Sequence, residues 1–244
     1  MFSVEKAWKT MLSHIYKLGD MHHKDDAMIK EYLGMHVRIR NPLFDKAFAF
    51  SNPSAKFVSW MEAGAFDIEG YPMKGQALAD YVTSLDDDYM IDGTDFVYTY
   101  PERLKGILVA DESGLETCVN QVDVIVNRLL ENTGSNRAVA TLYQAGLDGE
   151  RVDIPCLNWL QVTVRNNTMV LHVMFRSNDI YGAWPSNMYF LTYLGLQIQE
   201  RLNKDYPMIT FKYIDYHVSS AHVYETDFDA VEKIVKDFKI NEVL

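Results

Sequence analysis

The chain of 244 residues holds two cysteines, Cys118 and Cys156, and the second stands in chemically dense company. Pro155-Cys156 opens a β-type run, residues 157–165. A second run, 168–175, ends on Arg176-Ser177-Asn178-Asp179, and Pro185-Ser186-Asn187 follows. Arg165-Asn166-Asn167-Thr168 is a good hairpin turn between the runs. In an antiparallel pair the start of one strand lies beside the end of the next, which puts Arg176 near Cys156. A neighbouring guanidinium raises a thiol's thiolate fraction, and the same group binds phosphate bidentately. Such a unit could hold an anionic ligand and attack it. The competing reading is a buried, inert cysteine, since free cysteine is among the most buried residue types. Asn187 presents both a donor and an acceptor, as recognition of a pyrimidine edge would need. His222-Val223-Tyr224 puts an imidazole and a phenol on one face of a strand. They are either a packed pair or hydrogen-bond partners for a sugar hydroxyl.

The elements that must position these groups alternate between helix and strand. Val4, Trp8, Met11, Leu12, Ile15 and Leu18 fall at helical spacing over residues 3–19, with Ser3 as cap. The alternation of residues 34–41 predicts a strand ended by Asn41-Pro42. Helices are expected at 54–64, 74–85, 117–131, 187–202 and 226–238, and strands at 137–143 and 208–218. Residues 96–100, FVYTY, form a short aromatic segment, and Gly146–Arg151 reads as a polar turn. Met21–Asp26, MHHKDD, reads as a solvated loop rather than a metal site, and Asp86–Asp88 as a solvated turn. The expectation is one mixed α+β domain, 1–244, built around a sheet.

Bulk properties exclude several classes. The net charge of −11 argues against a nucleic-acid-coating protein, which would carry a basic face. No apolar run approaches the roughly 20 residues a membrane span needs. The amphipathic N-terminus lacks a signal peptide's apolar core, so a cytoplasmic location is expected. Two cysteines do not make a disulfide framework.

The ordered motifs resemble the thymidylate synthase family, which includes the pyrimidine-nucleotide hydroxymethylases. They are Pro155-Cys156; Arg176-Ser177-Asn178-Asp179, twenty residues on; Pro185 and Asn187; and His222-Val223-Tyr224. Upstream, residues 120–139 are similar to the family's helix and Ser-Arg-Arg turn, with Arg137 nineteen residues before Cys156. FVYTY and SWMEAG, 59–64, resemble family segments as well, and the likeness runs from about residue 55 to 226. It implies a large mixed sheet flanked by helices, with one sheet face forming a homodimer. It further implies that Cys156 adds to C6 of a pyrimidine nucleoside monophosphate. Arg176, Ser177 and the partner subunit's Arg137 would hold the 5′-phosphate. Asn187 would read the base, and His222 and Tyr224 the sugar. Asp179 and Trp60 would serve the co-substrate, 5,10-methylenetetrahydrofolate, and Tyr98 the catalytic network. No metal is implied.

Departures from the family pattern favour one product over another. Leu157-Asn158 follows the nucleophile where the synthases place histidine, and Cys-x-Asn resembles a deoxycytidylate hydroxymethylase. Ser220-Ala221-His222 resembles the hydroxymethylase pattern more than the synthase's Asp-x-His. No tryptophan occurs between Trp60 and Trp159 to shield a methylene intermediate from water. Asn187 stands where the hydroxymethylase has Asp, which favours a uracil-type base. Hydroxymethylation of dUMP is therefore expected over dCMP or CMP. Reductive methylation to dTMP is the alternative, and a non-catalytic nucleotide-binding relative the alternative of another class. The family's glutamate falls at Phe57, with Glu62 about half a turn off that face of the helix. Asn136 replaces one arginine of the Ser-Arg-Arg turn, and Arg38 and Arg40 are candidates for the family's N-terminal arginine loop.

Overall fold

The computed structural model describes residues 2–24, 26–43, 50–86, 98–110, 113–114, 116–236 and 238. A six-stranded mixed sheet runs in the order β1-β2-β8-β7-β6-β5. Its strands are β1 (Asp20–Lys24), β2 (Ala27–Arg40), β5 (Val139–Thr141), β6 (Leu157–Arg165), β7 (Thr168–Asp179) and β8 (Thr210–Tyr224). Neighbours are antiparallel except β7 and β8, which are parallel. A parallel pair needs a long crossover, and helix α7 (Trp184–Leu202) supplies it. Sixteen of its nineteen residues are buried, so it reads as hydrophobic on every side and becomes the central core helix. Around it lie α1 (Val4–Leu18), α2 (Pro53–Glu62), α3 (Gly75–Thr83), α4 (Tyr100–Lys105), α5 (Gln121–Glu131), the short α6 (Ala145–Asp148) and α8 (Phe228–Val235). A separate hairpin pairs β3 (Ile107–Ala110) with β4 (Glu116–Val119).

Period-two alternation sorts the sheet's two faces. Leu171, Val173, Phe175, Ile214, Tyr216 and Val218 face the helices and are buried. The opposite face is exposed or half-buried except at Asp215, and it carries Arg38, Trp159, His172, Met174 and the stacked pair His36–His217, 4.1 Å between ring centroids. There Arg38 donates two hydrogen bonds to Asp215, at 2.5 and 2.7 Å, and His172 lies 3.3 Å from the same carboxylate.

Several local readings need correction. MHHKDD is not a loop: Asp20–Lys24 pair antiparallel with Ala27–Glu31 as the edge strand of the sheet. Its side chains are mostly exposed and polar, so the pairing is a backbone property that polarity hides. The helix expected at 117–131 is a strand followed by α5, because Asn120 caps the helix by accepting from Val122 N and Asp123 N. The turn expected at Gly146–Arg151 overlaps α6. Asp86 accepts from the Tyr193 hydroxyl and from Gln197 Nε2, while residues 87–88 and 96–97 lie outside the described residues. The 165–168 turn behaves as expected: Asn166 and Asn167 have φ of 49° and 60°, the left-handed pair that a type I′ hairpin requires.

Candidate active site

The β6–β7 hairpin brings Cys156 and Arg176 together. Arg176 N donates to Cys156 O at 2.8 Å, and the guanidinium turns back along the incoming chain. Its Nε donates to Pro155 O at 3.2 Å and a terminal nitrogen to Ile154 O at 2.8 Å. The other terminal nitrogen lies 3.5 Å from Ser177 Oγ. The arginine thus fixes the segment that carries the thiol and keeps one donor edge directed at Ser177. Cys156 Sγ is 3.9 Å from the same Ser177 Oγ, and the cysteine is free and half-buried.

Asn158 sits where the β6–β7 register shifts between Leu157 and Trp159, a bulge of the kind that re-aims side chains beside active sites. Its amide donates to Pro155 O at 2.8 Å. Tyr98 Oη donates to Ile154 O at 3.1 Å, sharing that carbonyl with Arg176. Tyr100, on α4, packs edge-on against Phe175. Burial above all, with the nearby Cys156 second, pushes the hydroxyls of Tyr98 and Tyr100 above their ordinary pKa, so both are protonated donors at neutral pH.

The parallel β7–β8 register lines up the remaining groups: Ser177 faces Ser220 and Asp179 faces His222. Asp179 Oδ1 accepts from Tyr181 N at 3.0 Å and Gly182 N at 3.1 Å, closing the turn into α7. Burial raises the Asp179 pKa, and the two backbone donors oppose that rise. A Cβ at Gly182 would come within 2.5 Å of Asp179 Oδ2, so only glycine leaves that oxygen room. Trp8 Nε1 donates to Ile180 O and the Tyr71 hydroxyl to Gly182 O, clamping the turn from outside.

Beyond the turn, Asn187 is buried on α7. Its Oδ1 accepts from Tyr81 Oη at 2.7 Å, and its Nδ2 lies 3.5 Å from Asn178 Oδ1. Asn178 Nδ2, Trp184 Nε1 and Tyr216 Oη are buried without a hydrogen-bond partner among the described residues.

His222 and Tyr224 are joined by a residue that sequence reasoning missed. Lys24, at the end of β1, lies 3.0 Å from His222 Nε2 and 3.2 Å from Tyr224 Oη. Its ammonium is also 5.4 Å from the Tyr224 ring centroid. Burial, and then the Lys24 charge, lowers the His222 pKa to about 4, so the imidazole is neutral at pH 7. Only strand register places Lys24 here, 198 positions before His222. Its position in MHHKDD carries no signal.

Other expected residues sit apart from this cluster. Glu62 is exposed in the last turn of α2, whereas Phe57 is fully buried against Phe66 and Tyr189. Trp60 packs against Phe50 and Lys56. Arg137 is exposed just before β5, and Val139 pairs with Gln161. That register sets Arg137 near Thr163, roughly 23 Å along the strand from Cys156 at about 3.3 Å per residue. Arg38 is taken by Asp215 on the open face of the sheet. Among the described residues no group of three His, Cys, Asp or Glu side chains is placed to hold a metal ion. No described helix is long and apolar enough to cross a membrane.

Comparison with known proteins shows the family. The family model described as "Thymidylate synthase" matches residues 58–241. A protein of Methanocaldococcus jannaschii named "Putative thymidylate synthase" is 30% identical, over 95% of this chain and 92% of its own length. Proteins of the same name from Methanosarcina mazei and Methanothermobacter marburgensis are 28% and 26% identical, each over 96% of this chain and over 92% and 96% of their own lengths. With three quarters of its length matched by that family model, the chain belongs to the thymidylate synthase family.

Proposed function

We propose that this protein transfers a one-carbon unit to C5 of a uridylate-type nucleoside monophosphate through a covalent Cys156 adduct at C6. The observation that carries the reading is the junction of Cys156, Arg176 and Ser177 at adjacent strand ends. The Cys156 thiolate adds to C6, and the electron pair moves to C5, making it a carbon nucleophile. Arg176 and Ser177 bind the 5′-phosphate, and Lys24 joins His222 and Tyr224 at the sugar-phosphate side. The neutral imidazole accepts a hydrogen bond or donates one without adding charge. Asn187 pairs with the base edge. Tyr98, held on Ile154 O beside Arg176, fixes the segment from which the thiol attacks.

Asp179 fits the co-substrate, methylenetetrahydrofolate. Its turn uses Oδ1 and Gly182 keeps room at Oδ2, which suits an N–H-rich heterocycle. Trp60 is assigned to the same co-substrate by resemblance. That co-substrate supplies the one-carbon unit and, for methylation, a hydride. Hydroxymethylation of dUMP is the preferred outcome, because the sequence between Trp60 and Trp159 carries no tryptophan to exclude water from an exocyclic methylene. The names of the relatives favour the second reading, reductive methylation. The protein works as a homodimer through the open sheet face, with Arg137 completing the neighbour's phosphate site, since it is too far along β5–β6 to serve its own.

Tritium release from C5-labelled dUMP, dCMP and CMP with methylenetetrahydrofolate tests the reaction. Release from none of them removes the enzymatic reading and leaves a nucleotide-binding relative. Release with an absorbance rise from dihydrofolate marks methylation; release without it marks hydroxymethylation. Cys156→Ser should abolish release, and full activity in that variant would refute the covalent mechanism.

A further inference from the structure

A carboxamide can meet a base edge in two orientations, and a second residue has to choose between them. Asn187 is 5% exposed, and Tyr81 on α3 reaches it with a 2.7 Å hydrogen bond to Oδ1. The Tyr81 phenol has one hydrogen to give, and burial raises its pKa, so it remains a donor at neutral pH. The 3.5 Å separation between Asn187 Nδ2 and Asn178 Oδ1 is too long for a strong bond, which leaves an amide hydrogen to spend elsewhere. Oδ1 keeps its second lone pair. The edge offered is therefore a donor from Nδ2 beside an acceptor from Oδ1. That pattern complements a lactam, whose carbonyl accepts and whose ring N–H donates. An amidine edge, with a donating amino group beside a ring acceptor, needs the amide turned over. Turning it over sets Nδ2 against the phenol, whose hydrogen loses its acceptor, and brings Oδ1 toward Asn178 Oδ1.

We propose that Tyr81 is the specificity-determining residue of this site: by locking the Asn187 carboxamide it selects a 4-oxo pyrimidine nucleotide over a 4-amino one. The proposal rests on the nucleotide reading above. Tyr81 acts through Asn187 and is a positioning residue, and it reaches across from α3, an element that contributes nothing else to the polar cluster. Its ring lies 6.2 Å from Phe190, a packing contact that phenylalanine would keep.

The test is equilibrium binding of dUMP, dCMP and the baseless 2-deoxyribose 5-phosphate to wild type and Tyr81→Phe, with melting temperature as the check on folding. Wild type should prefer dUMP. Tyr81→Phe should narrow the dUMP:dCMP preference roughly tenfold, equivalent to about 1.4 kcal/mol, while affinity for the sugar phosphate stays unchanged. An unchanged preference in folded Tyr81→Phe overturns the proposal and leaves the nucleotide reading intact. Equal weakening of all three ligands overturns it too, since that is a structural effect. If wild type binds none of the three, the nucleotide reading falls and takes the proposal with it. Should Tyr81→Phe melt below the assay temperature, Tyr81→Met fills similar space without a donor and is read by the same criteria.

Discussion

Acid should unfold this protein in part through one histidine. His222 is 1% exposed, and burial with the Lys24 ammonium lowers its pKa from 6.5 to about 4. The unfolded chain takes up the proton near 6.5, and the folded chain resists it until about 4. The stability tied to the neutral imidazole is thus complete above pH 6.5 and drains away as pH falls toward 4. At about 1.36 kcal/mol per pH unit, the whole gap corresponds to about 3 kcal/mol, and about 2 kcal/mol of it is lost between pH 7 and pH 4.5. Urea unfolding of wild type and His222→Gln at those two pH values isolates the effect, because the carboxylates that titrate in the same window are common to both proteins and cancel. Wild type should lose about 2 kcal/mol more than the variant. Parallel losses in the two proteins would refute the argument that a neutral imidazole is held beside Lys24.

Three further outcomes follow from the geometry. Lys24→Met should weaken dUMP binding roughly tenfold or more, the scale of a hydrogen bond to a charged group, and should raise the His222 pKa measured by NMR titration; an unmoved pKa would contradict the 3.0 Å contact. Asp148→Ala should cost about 3–5 kcal/mol in urea unfolding, because it strands Arg103, whose 2.6 Å partner is Asp148 and whose second terminal nitrogen has no hydrogen-bond partner among the described residues. Gly195→Ala should cost about 1–3 kcal/mol by the same measurement, since a Cβ there runs into the Phe211 ring where α7 packs on β8.

What was legible in the sequence was whatever periodicity and turn chemistry encode. The Asn166-Asn167 turn specified the β6–β7 hairpin, and the hairpin placed Arg176 at Cys156 through antiparallel register alone. The apolar spacing of α1 gave its span with its Ser3 cap, because both signals are local. Lys24 and Tyr81 were not legible. Lys24 reaches His222 only because β1 pairs with β2 and β2 with β8, two steps of register that no local pattern reports. Tyr81 sits on a helix whose apolar face explains it fully as packing; its hydroxyl acquires a meaning only when α3 is laid against α7. β1 was read as a loop for a related reason: an edge strand with polar side chains has its regularity in backbone bonds.

Phe57 sharpens what this site can do with protons. A carboxylate was expected at that place, and the ring there is fully buried with Phe66 and Tyr189, in apolar surroundings that would penalise a charge. The groups that approach the Cys156 segment are instead phenols, Tyr98 and Tyr100, which burial keeps protonated. As protonated phenols both are donors, and Tyr98 already gives its hydrogen to Ile154 O, which holds the Cys156 segment. They are poor acceptors of a carbon-bound proton at neutral pH. Asp179 is a carboxylate of the cluster; burial raises its pKa, while the Gly182 and Tyr181 backbone donors hold it down. On the one-carbon-transfer reading proposed above, stabilising the adduct and removing the C5 proton then fall to different kinds of group: hydrogen-bond donors such as Asn187 for the first, and water for the second.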